Sequence, residues 1–535
     1  MKSIFNAFIK ADYEAMTNKK NNCLGEVAMQ QLMGVDFGTG GCKATIINAK
    51  GEILATAFSE YPSSHLHPGW SEQDPQLWIK AFDEVVASCL SNEMVSAQQI
   101  AGIGFSASTH NAVLTDRDGN VIRPCIMWND QRSADIAKRL DREHGDSIFK
   151  ISMQHPTATW TMPQLQWVRE NEPENYARIH RIFFIKDYVR YMVTGDWCTD
   201  HVDAQGSLLY DAANWKWSEE LCAIIGLDPA VLPPVKRSKE IIGCVNQATA
   251  LRTGLREGTP VIAGCSDTAA EDYGSGAVEE GQLLVKLATA GNVNVIFNGS
   301  HPHPKTYTYP YAVEGMWYTV TGTCSSASSY RWLRDALYQV EKEQCDAQET
   351  DVYQKMDEDA SQSPAGARGL IFHPYILGER CPYFSGNFRA NFFGVSVVHE
   401  KKHFARAVLE GVAYSLYDCY QVVRELEGAA ATEICLIGGG AKSPLWCQII
   451  SDVFGMPVNR PLIDDSSFGG ALLAGVGVGL FPDEITAVRQ CNRNKSRYEP
   501  NMKNHDFYVK LFGLYQKVVA AAAPIWDELA GIANQ

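Results

Sequence analysis

The segment Met33–Lys43, MGVDFGTGGCK, constrains the fold of this chain more than any other stretch of its sequence. Short apolar runs flank its glycines, so the pattern predicts a β-hairpin with a tight glycine-rich turn. Gly38, Gly40 and Gly41 allow the turn to bend through positive φ and let a ligand approach the backbone closely. A third strand, predicted over residues 53–60, would extend the hairpin into an antiparallel meander.

The chemistry of this turn suits a phosphate group. Successive backbone N–H groups form an anion-binding concavity, to which Thr39 adds a hydroxyl group and Lys43 adds a positive charge. Asp36 is the exception, because a carboxylate beside a phosphate is repulsive unless a divalent cation lies between them. We therefore predict Mg²⁺ at Asp36, bound directly or through water. An ordinary hairpin with a solvated aspartate is the alternative, since glycine patterns alone are weak signals.

Length and composition exclude several classes of protein. A chain of 535 residues is too long for one core and is expected to form two or more domains. Its net charge of -15 argues against nucleic acid or an anionic membrane as a partner. The first thirty residues lack the apolar core of a signal peptide and are interpreted as an N-terminal extension. Scattered single cysteines, without a C-x-x-C pair, favour a reducing cytoplasm.

The order of predicted elements after the hairpin indicates a fold class. Residues 77–90 have helical spacing and residues 100–106 form a buried strand, which gives the order β-β-β-α-β of ribonuclease-H-like folds. Polar side chains at strand ends are the usual ligand contacts of α/β domains, and they recur at Ser108–His110 and at Trp128–Arg132. A satisfied core histidine is the alternative for His110. One of the three residues Trp128–Asp130 is expected to cap a helix.

A second copy of the opening pattern occurs near residue 285. The strand over residues 259–264 ends at Asp267, and two further strands flank Thr289. This recurrence suggests two domains of related fold, although no close sequence repeat accompanies it. Residues 182–194 are predicted to form one amphipathic helix, and residues 402–424 a long one.

The last third contains one further ligand-binding candidate. A strand over residues 433–437 opens into the glycine run Gly438–Ser443, and residues 444–454 are helical, so the chain can pass close to a nucleotide there. The helix around residues 468–475 is rich in small residues and is expected to pack tightly without a chemical role.

Two motifs match known signatures without their required context. His399–His403 reads HEKKH, but the apolar period begins only at Phe404, so His399 is expected in the turn before the helix and a zinc site is rejected. Gly438–Ser443 resembles the end of a P-loop, but Ala441 stands where that motif needs glycine, and this interpretation is rejected too.

Taken together, these segments resemble the FGGY family of carbohydrate kinases, and most closely its xylulokinase branch. The resemblance spans about residues 32–498 and is most specific at ANFFGV, which starts at Ala390, and HFARAVLE, which starts at His403. It also includes DFGTG at Asp36, GWSEQDP at Gly69, RPCIMWNDQR at Arg123, KDY at Lys186, GERCP at Gly378 and GGGAKS at Gly438.

The resemblance implies an α/β fold with two ribonuclease-H-like (actin-like ATPase) domains and an interdomain catalytic cleft. Its domains would be residues 31–270, which bind the sugar and carry the phosphate hairpin, and residues 271–500, which bind ATP. Residues 1–30 would be the extension and residues 501–535 a C-terminal helix. It further implies a small-molecule sugar as partner, a cytoplasmic location, and a homodimer as an assembly to consider.

The resemblance also assigns roles to residues. Asp267 would accept the proton of the attacking sugar hydroxyl, while Asp36 would act with Mg²⁺ in catalysis. Thr109, His110 and Asp130 would bind the sugar together with Asp267. ATP would be bound by Gly38, Thr39, Gly40, Lys43, Thr289, Gly438, Gly439, Gly440 and Ala441.

Two departures from the family pattern concern the substrate. Kinases of this branch usually have Gln-Met-His-Gly where this chain has Ser108–Asn111, and Gly-Thr-Ser where it has Ala288–Ala290. We expect ATP-dependent phosphorylation of a pentulose, D-xylulose first, to the 5-phosphate. Another ketose, a polyol or an aldonate is the alternative within the family. An actin-like ATPase without a sugar substrate and a catalytically silent sugar-binding homologue are the rival classes.

Overall fold

The structure is a computed structural model that describes residues 30–426 and 430–533. The predicted N-terminal extension falls outside these residues, apart from its last position. Within the described residues, no helix is both long enough and apolar enough to cross a membrane.

The strands, in chain order, are β1 Gln31–Gly38, β2 Gly41–Asn48, β3 Ile53–Glu60, β4 Glu72–Gln73, β5 Ile100–Ala107, β6 Ala112–Thr115, β7 Cys125–Ile126, β8 Arg181–Phe184, β9 Thr199–Asp200, β10 Tyr210–Asp211, β11 Lys216–Trp217, β12 Val235–Lys236, β13 Ile241–Cys244, β14 Pro260–Ile262, β15 Cys265–Ser266, β16 Leu283–Leu287, β17 Gly291–Phe297, β18 Tyr307–Pro310, β19 Trp317–Thr323, β20 Ile371–His373, β21 Asn391–Phe393, β22 Ile434–Ile437, β23 Val458–Pro461 and β24 Asn494–Tyr498.

The α-helices are α1 Pro75–Leu90, α2 Ala134–Ser152, α3 Thr161–Asn171, α4 Pro173–Ala177, α5 Ile185–Thr194, α6 His201–Gly206, α7 Glu219–Ile224, α8 Gln247–Thr253, α9 Asp267–Ser275, α10 Ala327–Leu337, α11 Gln339–Ala347, α12 Val352–Ser361, α13 Lys401–Arg424, α14 Pro444–Phe454, α15 Ser466–Gly477, α16 Glu484–Cys491 and α17 Met502–Ala533.

The chain divides into two compact units. The first contains the residues up to Gly274 together with Pro310–Glu314 and Asp465–Asn492, and the second contains the remainder. The chain therefore passes between the units more than once, and helices α15 and α16 belong to the first unit although they lie late in the sequence. A single cut near residue 270, as predicted from the sequence, does not describe these returns.

The first unit is organised on a sheet with the strand order β13-β14-β5-β1-β2-β3. Strands β1, β2 and β3 form the predicted antiparallel meander, and β5 runs parallel to β1. Strand β15 also pairs with β5, next to β14. This arrangement places the carboxyl ends of β1, β5 and β15 at one edge of the sheet, where ligands of open α/β sheets bind.

Helix α15 packs against this sheet through positions without side chains. A Cβ atom added at Gly34 of β1 would lie 1.7 Å from the carbonyl oxygen of Ser467, and one at Gly104 of β5 would lie 2.1 Å from that of Gly470. The backbone of the helix therefore contacts the backbone of the strands, as expected for its small-residue composition.

The second unit repeats the plan of the first. Its sheet has the order β18-β19-β17-β16-β22-β23-β24, in which β16, β17 and β19 form an antiparallel meander and β22 runs parallel to β16. Strand β23 is parallel to β22, and β24 is an antiparallel edge strand. The strands β1, β2, β3 and β5 thus correspond to β16, β17, β19 and β22. The predicted α/β fold of two related ribonuclease-H-like domains is confirmed.

The structure corrects three local predictions. Residues 182–194 are not one helix, because Arg181–Phe184 is a strand paired with β6 and the helix begins at Ile185. No residue of the trio at 128–130 caps a helix, since Ser133 precedes helix α2. Gly38, Gly40 and Gly41 do not have positive φ, so the turn closes without left-handed backbone.

The HEKKH segment lies as predicted. Helix α13 begins at Lys401, with His399 in the preceding turn. Glu400 and His403 form a capping box, in which the His403 ring accepts the N–H of Glu400 at 2.8 Å. The two histidines therefore do not face a metal from one helix surface.

Candidate active site

Three strand ends of the first unit bring the predicted catalytic groups to one place. Asp36 of β1 is in register with Ser106 of β5, and the Ser106 hydroxyl donates a hydrogen bond to Asp36 Oδ1 at 2.7 Å. Ser266 of β15 is in register with Ala107, and Asp267 follows as the first residue of helix α9. Asp36, Asp267 and the loop after β5 therefore share one edge of the sheet.

Four carboxyl groups of the first unit influence one another at this edge. Burial raises the pKa of Asp36 well above its usual range, and the negative charges of Asp267, Asp465 and Glu271 raise it further, whereas the Ser106 hydrogen bond lowers it. Carboxylates held close together without a counter-charge favour protonation or the binding of a cation. Oxygen donors of this type are the ligands that Mg²⁺ prefers in proteins.

The turn of the β1–β2 hairpin is held from several sides. Tyr61 donates from its hydroxyl to the carbonyl oxygen of Gly38 at 2.6 Å, and Gln73 donates to that of Thr39 at 2.7 Å. The Trp128 indole N–H donates to the Thr39 hydroxyl at 3.0 Å. A Cβ atom added at Gly40 would meet nothing within 4 Å. The turn is therefore fixed in position and open on its outer face.

Lys43, predicted to contact phosphate, forms an ion pair in the structure. Its ammonium group lies 2.5 Å from Asp465 Oδ2. Asp465 precedes helix α15 and accepts the N–H groups of Ser467 and Phe468 with its other oxygen. Lys43 remains partly exposed, with 39% of its side chain accessible. Its role toward phosphate stays a prediction.

His110 occupies a buried position in the loop after β5. Its ring lies 4.8 Å from the ring of Trp160, centroid to centroid, and donates a hydrogen bond to the backbone of Thr159. Burial lowers the pKa of His110 to about 3, so the ring is neutral at physiological pH. Among the described residues, its Nδ1 atom has no hydrogen-bond partner. A neutral ring that donates from one nitrogen leaves the other as an acceptor.

The remaining predicted sugar ligands differ in their surroundings. Thr109 is partly exposed in the same loop. Asp130 is fully buried, and its oxygens accept hydrogen bonds from Ser71 N at 2.6 Å and from the backbone and guanidinium of Arg132 at 2.8–2.9 Å. These bonds give Asp130 a structural part in this loop, and its contact with the sugar stays a prediction.

The second unit presents its own hairpin turn at Thr289. Strands β16 and β17 meet at the pair Leu287 and Gly291, which leaves three residues in the turn. The Thr289 hydroxyl accepts a hydrogen bond from Arg331 at 3.1 Å, and the Thr289 carbonyl accepts one from the Ser328 hydroxyl at 2.7 Å. Thr289 and Arg331 are both exposed, so a cation stands beside the turn on its accessible side.

The glycine run after β22 is shaped by its neighbours. Gly438 has a φ of 89°, and a Cβ atom there would lie 2.8 Å from the carbonyl oxygen of Leu287. Its N–H donates to Asp464 at 3.0 Å. A Cβ atom at Gly439 would meet nothing within 4 Å, whereas Gly440 and Ala441 are buried. Only part of the run is therefore open to a ligand.

Sequence reasoning missed four residues of these sites: Ser106, Glu271, Arg331 and Asp465. The register of β1 with β5 could have indicated Ser106, because polar residues at the ends of adjacent parallel strands meet. Asp465 and Arg331 are brought to their hairpins by helices distant in the sequence, and no local pattern indicates such contacts.

Two related α/β units, each with a hairpin turn suited to phosphate, and a carboxylate at a strand end define a phosphotransferase of the actin-like ATPase fold. Comparison with known proteins makes this class more specific. Residues 31–274 match the N-terminal domain, and residues 290–478 the C-terminal domain, of the FGGY family of carbohydrate kinases.

Individual relatives extend over most of the chain. The xylulose kinase of Bacillus subtilis (strain 168) is 30% identical over 496 residues, which cover 92% of this chain and 97% of that protein. The crystal structure of a xyloylose kinase from Brucella ovis has a TM-score of 0.85 at 29% identity and covers 93% of this chain and all of that one. The structure of gluconate kinase from Lactobacillus acidophilus has a TM-score of 0.86 at 25% identity, with 94% and 99% covered.

The chain belongs to the FGGY family of carbohydrate kinases, and it is a sugar kinase that uses ATP to phosphorylate a small-molecule sugar. Sugar kinases of this family generally require Mg²⁺ as well. The predicted fold, family and class of reaction are therefore confirmed.

Proposed function

We propose that the sugar is a pentulose, D-xylulose first, and that its 5-hydroxyl group receives the γ-phosphoryl group of ATP. The observation that carries this proposal is the register of β1, β5 and β15, which places Asp36, Asp267 and the His110 loop at one sheet edge. A carboxylate beside a hydroxyl-binding loop is the arrangement that phosphorylation of an alcohol needs.

Asp267 acts as the general base in this mechanism. It accepts the proton of the attacking hydroxyl as the bond between that oxygen and the γ-phosphorus forms and the bond from the γ-phosphorus to the bridging oxygen breaks. ADP leaves with that oxygen, and the sugar phosphate remains. The negative neighbours at this edge increase the proton affinity of the carboxyl groups there, which favours proton acceptance.

The residues at this edge fit a Mg²⁺ ion. Asp36 would hold it directly or through water, with the Asp465 and Glu271 carboxylates contributing to the same negative field. When bound, the ion would neutralise charge on the phosphates and lower the repulsion between them and Asp36. Asp36 and Ser106 orient this position, and the open face of Gly40 admits the phosphate.

The second unit provides the proposed contacts to ATP. Thr289 and Arg331 would bind phosphate oxygens, since a hydroxyl group and a guanidinium group stand together on the exposed side of the turn. Gly439 would admit the nucleotide to the backbone, with Gly438, Gly440 and Ala441 shaping the run around it. Homodimer formation stays a prediction.

The charge of the site favours a neutral sugar over an aldonate. His110 is neutral, and Arg132 is 1% exposed and bonded to Asp130 and Glu72. A sugar carboxylate would therefore meet the negative field of the carboxyl groups around Asp36 without help from either side chain. Selection among neutral sugars then depends on hydrogen bonds to hydroxyl groups, which discriminate strongly against analogues that lack them.

An ADP-release assay on D-xylulose, other pentuloses, polyols and gluconate tests this function. We expect the highest kcat/KM with D-xylulose. His110→Ala should raise KM for the sugar by roughly one to two orders of magnitude, because a polar partner is left unpaired at about 1 to 3 kcal/mol, while KM for ATP is unchanged. A preference for gluconate, or a rise of the ATP KM instead, would contradict the proposal.

A further inference from the structure

The first unit buries five ionisable side chains beside the candidate site. Lys186 and Asp187 lie at the start of helix α5 and Arg190 one turn later, while Asp200 and Asp203 flank the start of helix α6. Each of the five is at most 1% exposed. Lys186 Nζ lies 2.8 Å from Asp187 and 2.5 Å from carboxylate oxygens of both Asp200 and Asp203, and Arg190 lies 3.0 Å from Asp187.

The three aspartates converge closely enough to hold a metal ion, but the Lys186 ammonium group already occupies the space between them. An ammonium group has three N–H donors, which match three carboxylates. This group of five residues, the buried ion network, is therefore closed on itself rather than a metal site.

The ion network is not needed to fill the core. Three carboxylates and two cations leave one negative charge in excess, and burial raises the pKa of both Asp200 and Asp203. Replacing buried ion pairs by apolar side chains of similar volume is often neutral or stabilising. The hydrogen bonds that leave the network are thus the place to look for its role.

One of these bonds reaches the chain just before Asp267. The Arg190 guanidinium donates to the carbonyl oxygen of Ala263 and, at 2.5 Å, to that of Cys198. Ala263 lies between β14 and β15, which both pair with β5. Val261 pairs with Ile103 and Cys265 with Ser106, so one extra residue is inserted on the outer strand. This insertion is a β-bulge, a device that re-aims the side chains that follow it.

A second connection reaches the predicted sugar loop through helix α6. Asp200 accepts the N–H of Val202 at the start of this helix, and Asp203 lies in its first turn. At the other end, a Cβ atom on Gly206 would lie 2.8 Å from His110 Cδ2 and 3.2 Å from Thr109 Cγ2. The helix is therefore in close contact with the loop that carries both side chains.

We infer that Lys186, Arg190 and Asp203 are positioning residues, which hold the bulge that aims Asp267 and fix helix α6 against His110. This inference rests on the proposed function for the roles of Asp267 and His110. The ion network gives a rigid backing to both because its charges have no alternative partners in a dry interior. None of its five side chains is assigned a contact with sugar or ATP.

Arg190→Lys tests the connection to Asp267. The variant keeps the positive charge but loses the planar group that reaches two carbonyl oxygens. Arg406→Lys is the matched control, because Arg406 is another buried arginine, bonded to Glu410 and Tyr508 in the second unit. Arg190→Lys should lower kcat with D-xylulose and ATP by about 10- to 100-fold, the effect of a small misplacement of a catalytic group, with KM for ATP unchanged. Arg406→Lys should leave kcat unchanged at a comparable loss of Tm.

Hydrogen–deuterium exchange provides a readout that needs no substrate. Backbone amides of residues 263–267 should exchange faster in Arg190→Lys than in the wild type or in Arg406→Lys. Asp203→Asn, which removes the excess negative charge and should preserve the fold, should speed exchange at residues 108–111 and raise KM for D-xylulose. The corresponding amides should be unaffected in the control.

The outcomes separate this inference from the proposed function. If the wild type does not phosphorylate D-xylulose, the proposed substrate is wrong, and the exchange data alone decide the inference. Normal kinetics and normal exchange in folded Arg190→Lys and Asp203→Asn would overturn it. It would also be overturned if both variants failed to fold while Arg406→Lys folded, because the ion network would then serve stability instead.

Discussion

The two hairpins of this molecule share a backbone plan and differ in charge. DFGTGG of the first unit, starting at Asp36, corresponds to KLATAG of the second, starting at Lys286. Asp36 pairs with Ser106 near the end of β5, and Lys286 pairs with Ile437 at the end of β22. The same sheet position thus carries a carboxylate in one unit and an ammonium group in the other.

This difference indicates a division of labour between the two units. The first hairpin lies beside Asp267, Asp465 and Glu271 and suits proton transfer and a divalent cation. The second hairpin has Arg331 at its exposed threonine and suits the phosphates of a nucleotide. An ancestral turn that approaches phosphate can therefore serve two chemical roles, according to the side chains that neighbouring elements bring to it.

The largest expected effect comes from Asp267→Asn in the first unit. Loss of general-base assistance should lower kcat by about 10²- to 10⁴-fold, because an amide cannot accept the proton. KM values and Tm should change little. ADP release and thermal denaturation measure both, with Asp135→Asn, whose side chain is 96% exposed, as the control. Near-normal kcat would remove Asp267 from the chemistry.

Asp36→Asn should affect the metal requirement of the first hairpin. We expect the apparent affinity for Mg²⁺ to fall by about 10- to 100-fold, the usual range for altering the surroundings of a metal site. A Mg²⁺ titration of the ADP-release rate measures it, with the fold checked by Tm. An unchanged titration and unchanged kcat would mean that Asp36 is only structural.

The raised pKa of Asp36 also predicts how stability depends on pH without metal. A carboxyl group whose pKa is higher in the folded protein contributes stability below its ordinary pKa and loses that contribution as pH rises through the raised value. In EDTA, the wild-type Tm should therefore fall over this range more steeply than that of Asp36→Asn. Parallel profiles would contradict the electrostatic interpretation of the first hairpin.

Arg331→Met examines the second hairpin. Removing the cation beside Thr289 should raise KM for ATP by about tenfold, which corresponds to about 1.4 kcal/mol, and leave KM for the sugar unchanged. Arg334→Met is the matched control, because Arg334 lies in the same helix but donates to Tyr353. An increase of the sugar KM in Arg331→Met would break the proposed division between the units.

The smallest effects concern the glycines of the first turn. Gly40→Ala should fold normally, because its Cβ atom meets nothing within 4 Å, and should lower kcat/KM for ATP by about threefold to tenfold if phosphate approaches there. Gly41→Ala should instead lower Tm, since its Cβ atom would lie 2.5 Å from the Phe58 ring. The second turn has Ala290 at the position of Gly40, so Ala290→Gly should change little. Unchanged kinetics in Gly40→Ala would show that the first turn does not receive phosphate.

Most of the fold could be predicted from local patterns. Strand β3 and helix α14 have the bounds that apolar periodicity indicates, and the recurrence at Thr289 is matched by a repeated sheet order. Prediction failed where local pattern and tertiary pairing compete. Residues 182–184 have helical spacing, yet they pair with β6 as a strand because a neighbouring strand offers hydrogen bonds. The three glycines of the first turn suggested positive φ, but openness toward a ligand and close packing against Phe58 explain two of them.

The candidate site divides in the same way. The sequence alone determined which residues can perform the chemistry, namely Asp36 and Asp267 as carboxylates, His110 as a hydroxyl partner and the two glycine-threonine turns, because these depend on residue type and local backbone. Only the tertiary structure decided their surroundings. It paired Lys43 with Asp465, placed Arg331 on Thr289 and buried Asp130 against Arg132. The physical reason is that charge interactions depend on distance in space, and helices far along the chain supply the charges that set the pKa of Asp36 and the partners of both turns.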